Sequence, residues 1–417
     1  MTAPAITRRL SPASLRTRAT SLRPHIAAWP WWLHVVIVFA LSRIATTIML
    51  LALASRQGPN PWTAAHPHYF DYASIWDGRW YNIVQVAGYP ATLPMTAGHV
   101  TENAWAFLPG YPSSVGAVMF LTDLPWPVAA VFVSLAFGLG SALLFYRMLL
   151  PRLGRDAALF AVVLLCVAPV SPLFQLAYAE SMYLFLLILA LTLVLQRRYW
   201  LLLPLVAVMG FVRPSGLAFA LALGLHVVYR WVVRSSDPFP VRERVASAAA
   251  VVVAGAAGLA WPAIAGLVTG SWTAYTDTEL AWRAPYIGYG ELVPFTAWLQ
   301  GAAWWSHTML GLPAWLGYLT LAVLVVLFAV ILFLPGVRRL GVDLRLWLGS
   351  YAVYLLAVFF PQSSTFRLLM PLFPLLGVLA LPRSRVYRVA LVVLFIALQV
   401  GWVAICWSID GYDWSPP

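Results

Sequence analysis

The sequence predicts an all-α polytopic membrane protein: a bundle of about eleven transmembrane helices, with further helices lying at the membrane surface. Three observations predict it. The 417-residue chain is 62% hydrophobic and only 10% charged, with a mean hydropathy of +0.82, whereas soluble domains carry about 25% charged residues. Several apolar runs reach the ~20 residues that a helix needs to cross a bilayer. These runs are continuous rather than alternating, which selects helices over the strands of a barrel.

Taken in order, residues 1–31 form an Arg-rich tail with Arg8, Arg9, Arg16, Arg18 and Arg23. The apolar run behind it, WWLHVVIVFALSRIATTIMLLALA, is too long for a signal-peptide core and has no clear cleavage site, so it reads as a retained span. Residues 32–417 then read as one transmembrane domain. Spans are expected near 32–54, 126–149, 157–174, 180–196, 199–212, 215–231, 246–268, 312–334, 345–361, 366–382 and 387–407. The shortest pair, 199–212 and 215–231, is separated by Arg213-Pro214-Ser215-Gly216.

The charges orient the bundle. All 26 basic residues are Arg. With the N-terminus inside, twenty fall on the cytoplasmic side, five (Arg56, Arg79, Arg213, Arg283 and Arg367) fall outside, and Arg43 lies within the first span. Asp and Glu divide the opposite way, ten outside and four inside. This is the positive-inside bias. It accounts for the net charge of +12 without nucleic acid as a partner, and makes membrane lipids the expected surroundings. The expected location is the plasma (inner) membrane, with the active site extracytoplasmic.

Two outside loops are long. The first, 55–125, has amphipathic patterns near 72–87 and 104–120, expected as helices at the membrane surface. The second, 269–311, is rich in Trp, Tyr and acidic residues. The cytoplasmic connections are short. Cys166 and Cys406 are the only cysteines, and their spacing fits neither a metal site nor a disulfide framework. Many of the 21 Trp and 18 Tyr residues sit at span ends, as interfacial belts do. Those in 269–311 read either as such anchors or as platforms for sugar rings.

The candidate site residues are the charges of the outside loops. Asp77, in SIWDGRWYNIVQVAGYP, is a carboxylate among aromatics just past the first span. Such a group is costly to desolvate and can act as a general base. Its alternative roles are pairing with Arg79 or capping a helix. Glu102, in TENAWAFLPGYP, can bind an acceptor, hold a metal or cap a helix. Glu180, in LAYAES, opens a span and either lines a cavity or serves the helix N-terminus. Arg213 and Arg367 run against the inside bias. Guanidinium matches phosphate bidentately, and snorkelling to lipid headgroups is the other reading. Arg43 must be paired or face a wet interior. His66, His68 and His99 lack zinc-site spacing, no DxD occurs, and no nucleotide or dinucleotide fingerprint is present, so neither metal nor cofactor is expected.

The two loop motifs resemble the PIG-V family of mannosyltransferases, within the GT-C superfamily of polytopic glycosyltransferases. The matching residues are Trp76-Asp77, Gly88-Tyr89, Glu102-Asn103 and Ala106-Phe107-Leu108-Pro109-Gly110-Tyr111-Pro112. Weaker similar blocks are APVSPLFQLAYAES at 168–181, FVRPSG at 211–216 and FRLLMPLFPLL at 366–376. Val86-Ala87 departs from the family pattern. The resemblance implies a GT-C-like bundle in which 55–125 is the catalytic loop. It implies a polyprenyl-phosphate sugar donor, typically of mannose, and a glycolipid or glycan acceptor. It also implies Asp77 as catalytic base, Arg367 and Arg213 at the donor phosphate, and Trp76, Glu102, Asn103, Tyr111 and Glu180 around the sugars. A lipid-linked-sugar flippase, or the same fold acting on another sugar such as arabinofuranose, are the alternatives.

Overall fold

A computed structural model of the chain describes residues 29–409 and 416–417. The expected cytoplasmic tail therefore lies outside the described residues up to position 28. The architecture is all-α, apart from a two-residue antiparallel ribbon, β1 (Met95–Thr96) and β2 (His99–Val100). Five helices are long and apolar enough to cross a membrane: α1 (Trp31–Ala54), α5 (Trp126–Val167), α9 (Val241–Thr269), α13 (Ala314–Ile331) and α18 (Arg385–Trp407). Between them stand three shorter apolar helices, α6 (Glu180–Leu195), α7 (Tyr199–Gly210) and α8 (Gly216–Val232). The chain is an integral membrane protein.

The first long loop, 55–125, holds the short helices α2 (Tyr69–Tyr72), α3 (Asp77–Ala87) and α4 (Gly110–Thr122). The second holds α10 (Ala274–Ala281), α11 (Ala284–Ile287) and α12 (Ala297–Trp304). Beyond α13 come α14 (Pro335–Arg338), α15 (Val342–Val358), α16 (Thr365–Leu368) and α17 (Pro374–Leu379).

Two expected spans differ from the structure. The pair 126–149 and 157–174 forms the two arms of α5, which bends at Gly154 (φ 79°, ψ 169°), a conformation that only glycine adopts without strain. The second arm stops at Val167, short of 174, because Pro169 and Pro172 supply no backbone donor. The stretch 366–382 is not one helix. It breaks into α16, a 3₁₀ turn at Met370–Leu372 and α17. Pro371 and Pro374 each remove an N–H from the ladder, and the residue before a proline is turned away from the helical region.

Helix α5 is the centre of the bundle, packing against α1, α4, α6, α17 and α18. A second group is α7, α8 and α9, with α15 against α8. Helix α13 buries none of its side chains, as suits a helix that is apolar all round and surrounded by lipid. Arg43, buried inside α1, resolves its own desolvation problem. Its guanidinium donates to the carbonyls of Ser171 (2.6 Å) and Cys166 (2.7 Å). The Cys166 carbonyl is one of the orphan acceptors of the last turn of α5, and Ser171 opens the 3₁₀ turn that follows it. Arg43 is thus a structural clasp between α1 and the end of α5. Cys166 and Cys406 are free thiols buried in the core.

Charged clusters fasten the end of the bundle away from α3. Arg388 grips Asp156 with two bonds of 3.0 and 2.6 Å. Arg197 pairs with Asp237 at 2.6 Å, and Arg230 with Glu243 at 3.0 Å. His226 is bonded through one ring nitrogen to Tyr199 and through the other to Asp343. These contacts tie α18 to α5, and α8 to α7, α9 and α15, and leave the opposite end to be shaped by the long loops.

Candidate functional site

The site is built where α3 begins. Trp76 precedes the helix with φ 60° and ψ −123°, a conformation costing about 1–3 kcal/mol that persists only where the surroundings enforce it. They do so here: the Trp76 ring is buried beside Trp62 (5.0 Å), and its Nε1 donates to the Cys406 carbonyl at 2.9 Å. The bend turns Asp77 inward as the first residue of α3, where a carboxylate also benefits from the helix dipole. Its backbone N–H points to the Tyr178 hydroxyl at 3.4 Å.

Two motif glycines let distant segments close on this point. A Cβ on Gly78 would meet the Ala177 side chain at 2.9 Å, and one on Gly110 would meet the Phe211 carbonyl oxygen at 2.8 Å. Gly110 N–H donates to that same carbonyl at 2.8 Å. The first contact lays the Asp77 turn on the segment that leads into Glu180. The second lays the Leu108-Pro109-Gly110 turn against the segment that carries Arg213.

The result is a four-residue charge cluster from four separate stretches of chain. Arg367 Nη1 donates to Asp77 Oδ2 at 2.5 Å and to Glu180 Oε1 at 2.9 Å. Arg213 pairs with the same Glu180 oxygen. The side chains are 12% exposed for Arg367 and Asp77, 17% for Arg213 and 4% for Glu180. The Arg367 guanidinium also lies over the Tyr178 ring, 5.6 Å from its centre. Two buried polar atoms here, Glu180 Oε2 and Arg367 Nε, have no hydrogen-bond partner among the described residues. Burial lifts the Tyr81 hydroxyl, one turn along α3 from Asp77, to about 12. Asp77, Glu279, Arg213 and Arg367 all act on that hydroxyl electrostatically.

Of the residues singled out from the sequence, Asp77, Glu180, Arg213 and Arg367 are brought together. Trp76, Asn103 and Tyr111 are buried, with their polar groups engaged in the framework. Asn103 Oδ1 caps the 3₁₀ turn at Trp105 N (3.0 Å), and its Nδ2 donates to Thr278 Oγ1 (2.9 Å). The Tyr111 hydroxyl bonds the Ala130 carbonyl and Ser134, both at 2.9 Å. Glu102 is exposed beside Asn103.

Sequence reasoning missed the other wall. Helix α10, held to the first loop by the Asn103–Thr278 bond, carries Glu279 beside the cluster. Burial raises the Glu279 carboxyl above its usual range; Tyr275, which hydrogen-bonds it, and Arg283, Arg213 and Arg367 act in the opposite direction. Three residues on, Trp282 meets Trp80 edge-on at 5.8 Å, and Trp80 in turn stacks on Phe107 at 5.4 Å. One signal was present in the sequence. Asp77-x-x-Trp80 and Glu279-x-x-Trp282 place an acid and a Trp one turn apart in each long loop, and the two turns face each other.

Among the described residues no group of three His, Cys, Asp or Glu side chains is placed to hold a metal ion. No protein-family model matches this chain, and no curated protein does.

Proposed function

We propose that the protein is an inverting membrane glycosyltransferase that moves mannose from a polyprenyl-phosphate donor to a glycolipid or glycan acceptor. The single observation that carries this reading is the convergence of Asp77, Glu180, Arg213 and Arg367, where one guanidinium serves two carboxylates and retains an unpaired Nε. Support comes also from the motif resemblance to PIG-V-like enzymes and from the GT-C-like arrangement that this resemblance implies. The charge bias of the sequence supports eleven spans with the N-terminus inside, which puts 55–125 and 269–311 on the extracytoplasmic face of the plasma membrane.

On this reading Asp77 takes the proton of an acceptor hydroxyl. The hydroxyl oxygen attacks the anomeric carbon of the β-linked donor, the bond from that carbon to the phosphate oxygen breaks, and an α-mannoside forms. Polyprenyl phosphate leaves with its added charge held by Arg367 and Arg213, cationic donors of the kind that stabilise a developing anion. Glu180 holds the two arginines side by side. The prenyl tail stays in the bilayer beside the bundle.

The test is incubation of the purified protein with radiolabelled polyprenyl-phosphate mannose and a set of glycoside acceptors. Label in a new glycoside is expected. Movement of intact donor across liposomes, with no new product, would establish a carrier instead.

A further inference from the structure

We infer that Glu279 of α10 and Trp282 at its C-terminal end, together with Trp80 of α3, form the subsite that recognises the acceptor's sugar ring. This rests on the transferase reading for its place in the reaction, but the chemistry of the subsite stands separately.

The observations begin with an unmet donor. Trp282 Nε1 is buried and has no hydrogen-bond partner among the described residues, although a buried indole N–H normally finds an acceptor. Glu279 lies one helical turn earlier, and side chains three apart share a face. It is a half-buried carboxylate that Tyr275 hydrogen-bonds and Arg283 flanks, and two carboxyl oxygens can accept from several donors. A hydrogen-bond donor that lacks an acceptor thus stands beside an acceptor that can take more donors, next to aromatic surface. A sugar satisfies all three at once. One ring hydroxyl accepts from Trp282 Nε1, another donates to Glu279, and the apolar C–H face of the ring packs on the half-buried indoles.

Geometry assigns this ring to the acceptor. Trp80 follows Asp77 by one turn of the same helix, so a ring held against Trp80 presents its hydroxyl toward the Asp77 carboxylate. The donor's phosphate belongs at Arg213 and Arg367. The wall is rigid: Asn103 bonds Thr278 beside Glu279 at 2.9 Å, and Arg283, next to Trp282, donates to the Val358 carbonyl at the end of α15.

The experiment has two arms on the purified full-length protein. In the first, methyl glycosides of mannose, glucose, galactose and arabinofuranose are titrated while tryptophan fluorescence is followed. Wild type is expected to show saturable binding to at least one of them. Trp282→Phe keeps an aromatic ring but removes the indole N–H together with the pyrrole half of the ring system, and Glu279→Gln keeps the shape and removes the charge. Each should weaken that binding about tenfold, the scale of one lost buried hydrogen bond, while eluting as wild type on size exclusion. No saturable binding by wild type, or unchanged affinity in both variants, overturns the subsite. In the second arm, with labelled polyprenyl-phosphate mannose, both variants should raise the acceptor KM about tenfold and leave the donor KM unchanged. A rise in donor KM instead overturns the assignment to the acceptor. Glycoside binding without any transfer by wild type would sink the transferase reading and leave the subsite standing.

Discussion

Asp77→Asn is the substitution on which the proposed chemistry depends. Asparagine has the same shape and keeps a carbonyl oxygen for Arg367 Nη1, now 2.5 Å from Asp77 Oδ2, but it cannot take a proton. A positioned general base contributes about 10²–10⁴-fold, or roughly 3–5 kcal/mol of barrier at about 1.4 kcal/mol per decade. The structural cost is smaller. Replacing a charge-assisted bond by a neutral one loses about 1 kcal/mol, and losing the first-turn charge of α3 loses about 0.3–1 kcal/mol. Against a typical folding stability of about 5–15 kcal/mol, the variant should fold and insert. Purified Asp77→Asn should therefore transfer labelled mannose at least about 100-fold more slowly, through kcat. Its donor KM should not rise, because Arg367 loses a competitor for phosphate. A kcat within about tenfold of wild type would remove Asp77 as the base. A loss confined to donor KM would make it a binding residue.

The remaining predictions address the framework. Glu180→Gln weakens the shared anchor of Arg213 and Arg367, so donor KM should rise by more than acceptor KM in the same transfer assay. Arg43→Met removes two short charge-assisted bonds at roughly 1.5–3 kcal/mol each and should lower the detergent-solubilised melting temperature markedly. Gly110→Ala drives a methyl group into the Phe211 carbonyl and should cost about 1–3 kcal/mol. It should also displace Arg213 and so depress transfer even where the protein still folds. Glu279, pushed up by burial, binds its proton more tightly folded than unfolded. Its contribution to stability is therefore full below the unfolded value of about 4.3 and fades as pH rises through the folded one. Melting curves should show wild type losing stability relative to Glu279→Gln as pH rises from about 4 to about 7, and parallel curves would contradict it.

Hydropathy and charge made the membrane class legible because lipid leaves few alternatives: apolar runs must become helices, and charges at their ends must have partners. That constraint is also why Asp77, Glu180, Arg213 and Arg367 stood out, each a charge at the edge of an apolar stretch. Less was readable where geometry depends on a long-range partner. Trp76 and Tyr111 looked like contact aromatics. Whether an aromatic faces a cavity or the core depends on what lies opposite, and here that is Cys406 for one and Ala130 with Ser134 for the other. The 366–382 stretch has the hydropathy of a span, yet its prolines break it, and the break is what delivers Arg367 to the cluster. Glu279 was hidden because the acid-x-x-Trp spacing it shares with Asp77 does not say that the two turns face each other.

The arrangement of charge bears directly on the proposed step. Three carboxylates (Asp77, Glu180 and Glu279) and three guanidiniums (Arg213, Arg283 and Arg367) gather at one end of an apolar bundle, so these arginines are matched in place. In surroundings of low effective dielectric, any step that changes net charge is expensive, and one that only relocates it is cheap. Transfer as proposed only relocates it. The acceptor's proton neutralises Asp77 as the departing phosphate gains one negative charge, and the total is unchanged. Arg367 already bridges Asp77 and Glu180 through a single nitrogen, which leaves the rest of its planar fork for the phosphate as Asp77 loses its charge. An arginine at this position therefore does more than a fixed cation would. Arg367→Lys, with one compact ammonium in place of a planar fork, should keep the Asp77 contact and still lose kcat. If Lys supported wild-type turnover, the need for the planar fork would be refuted.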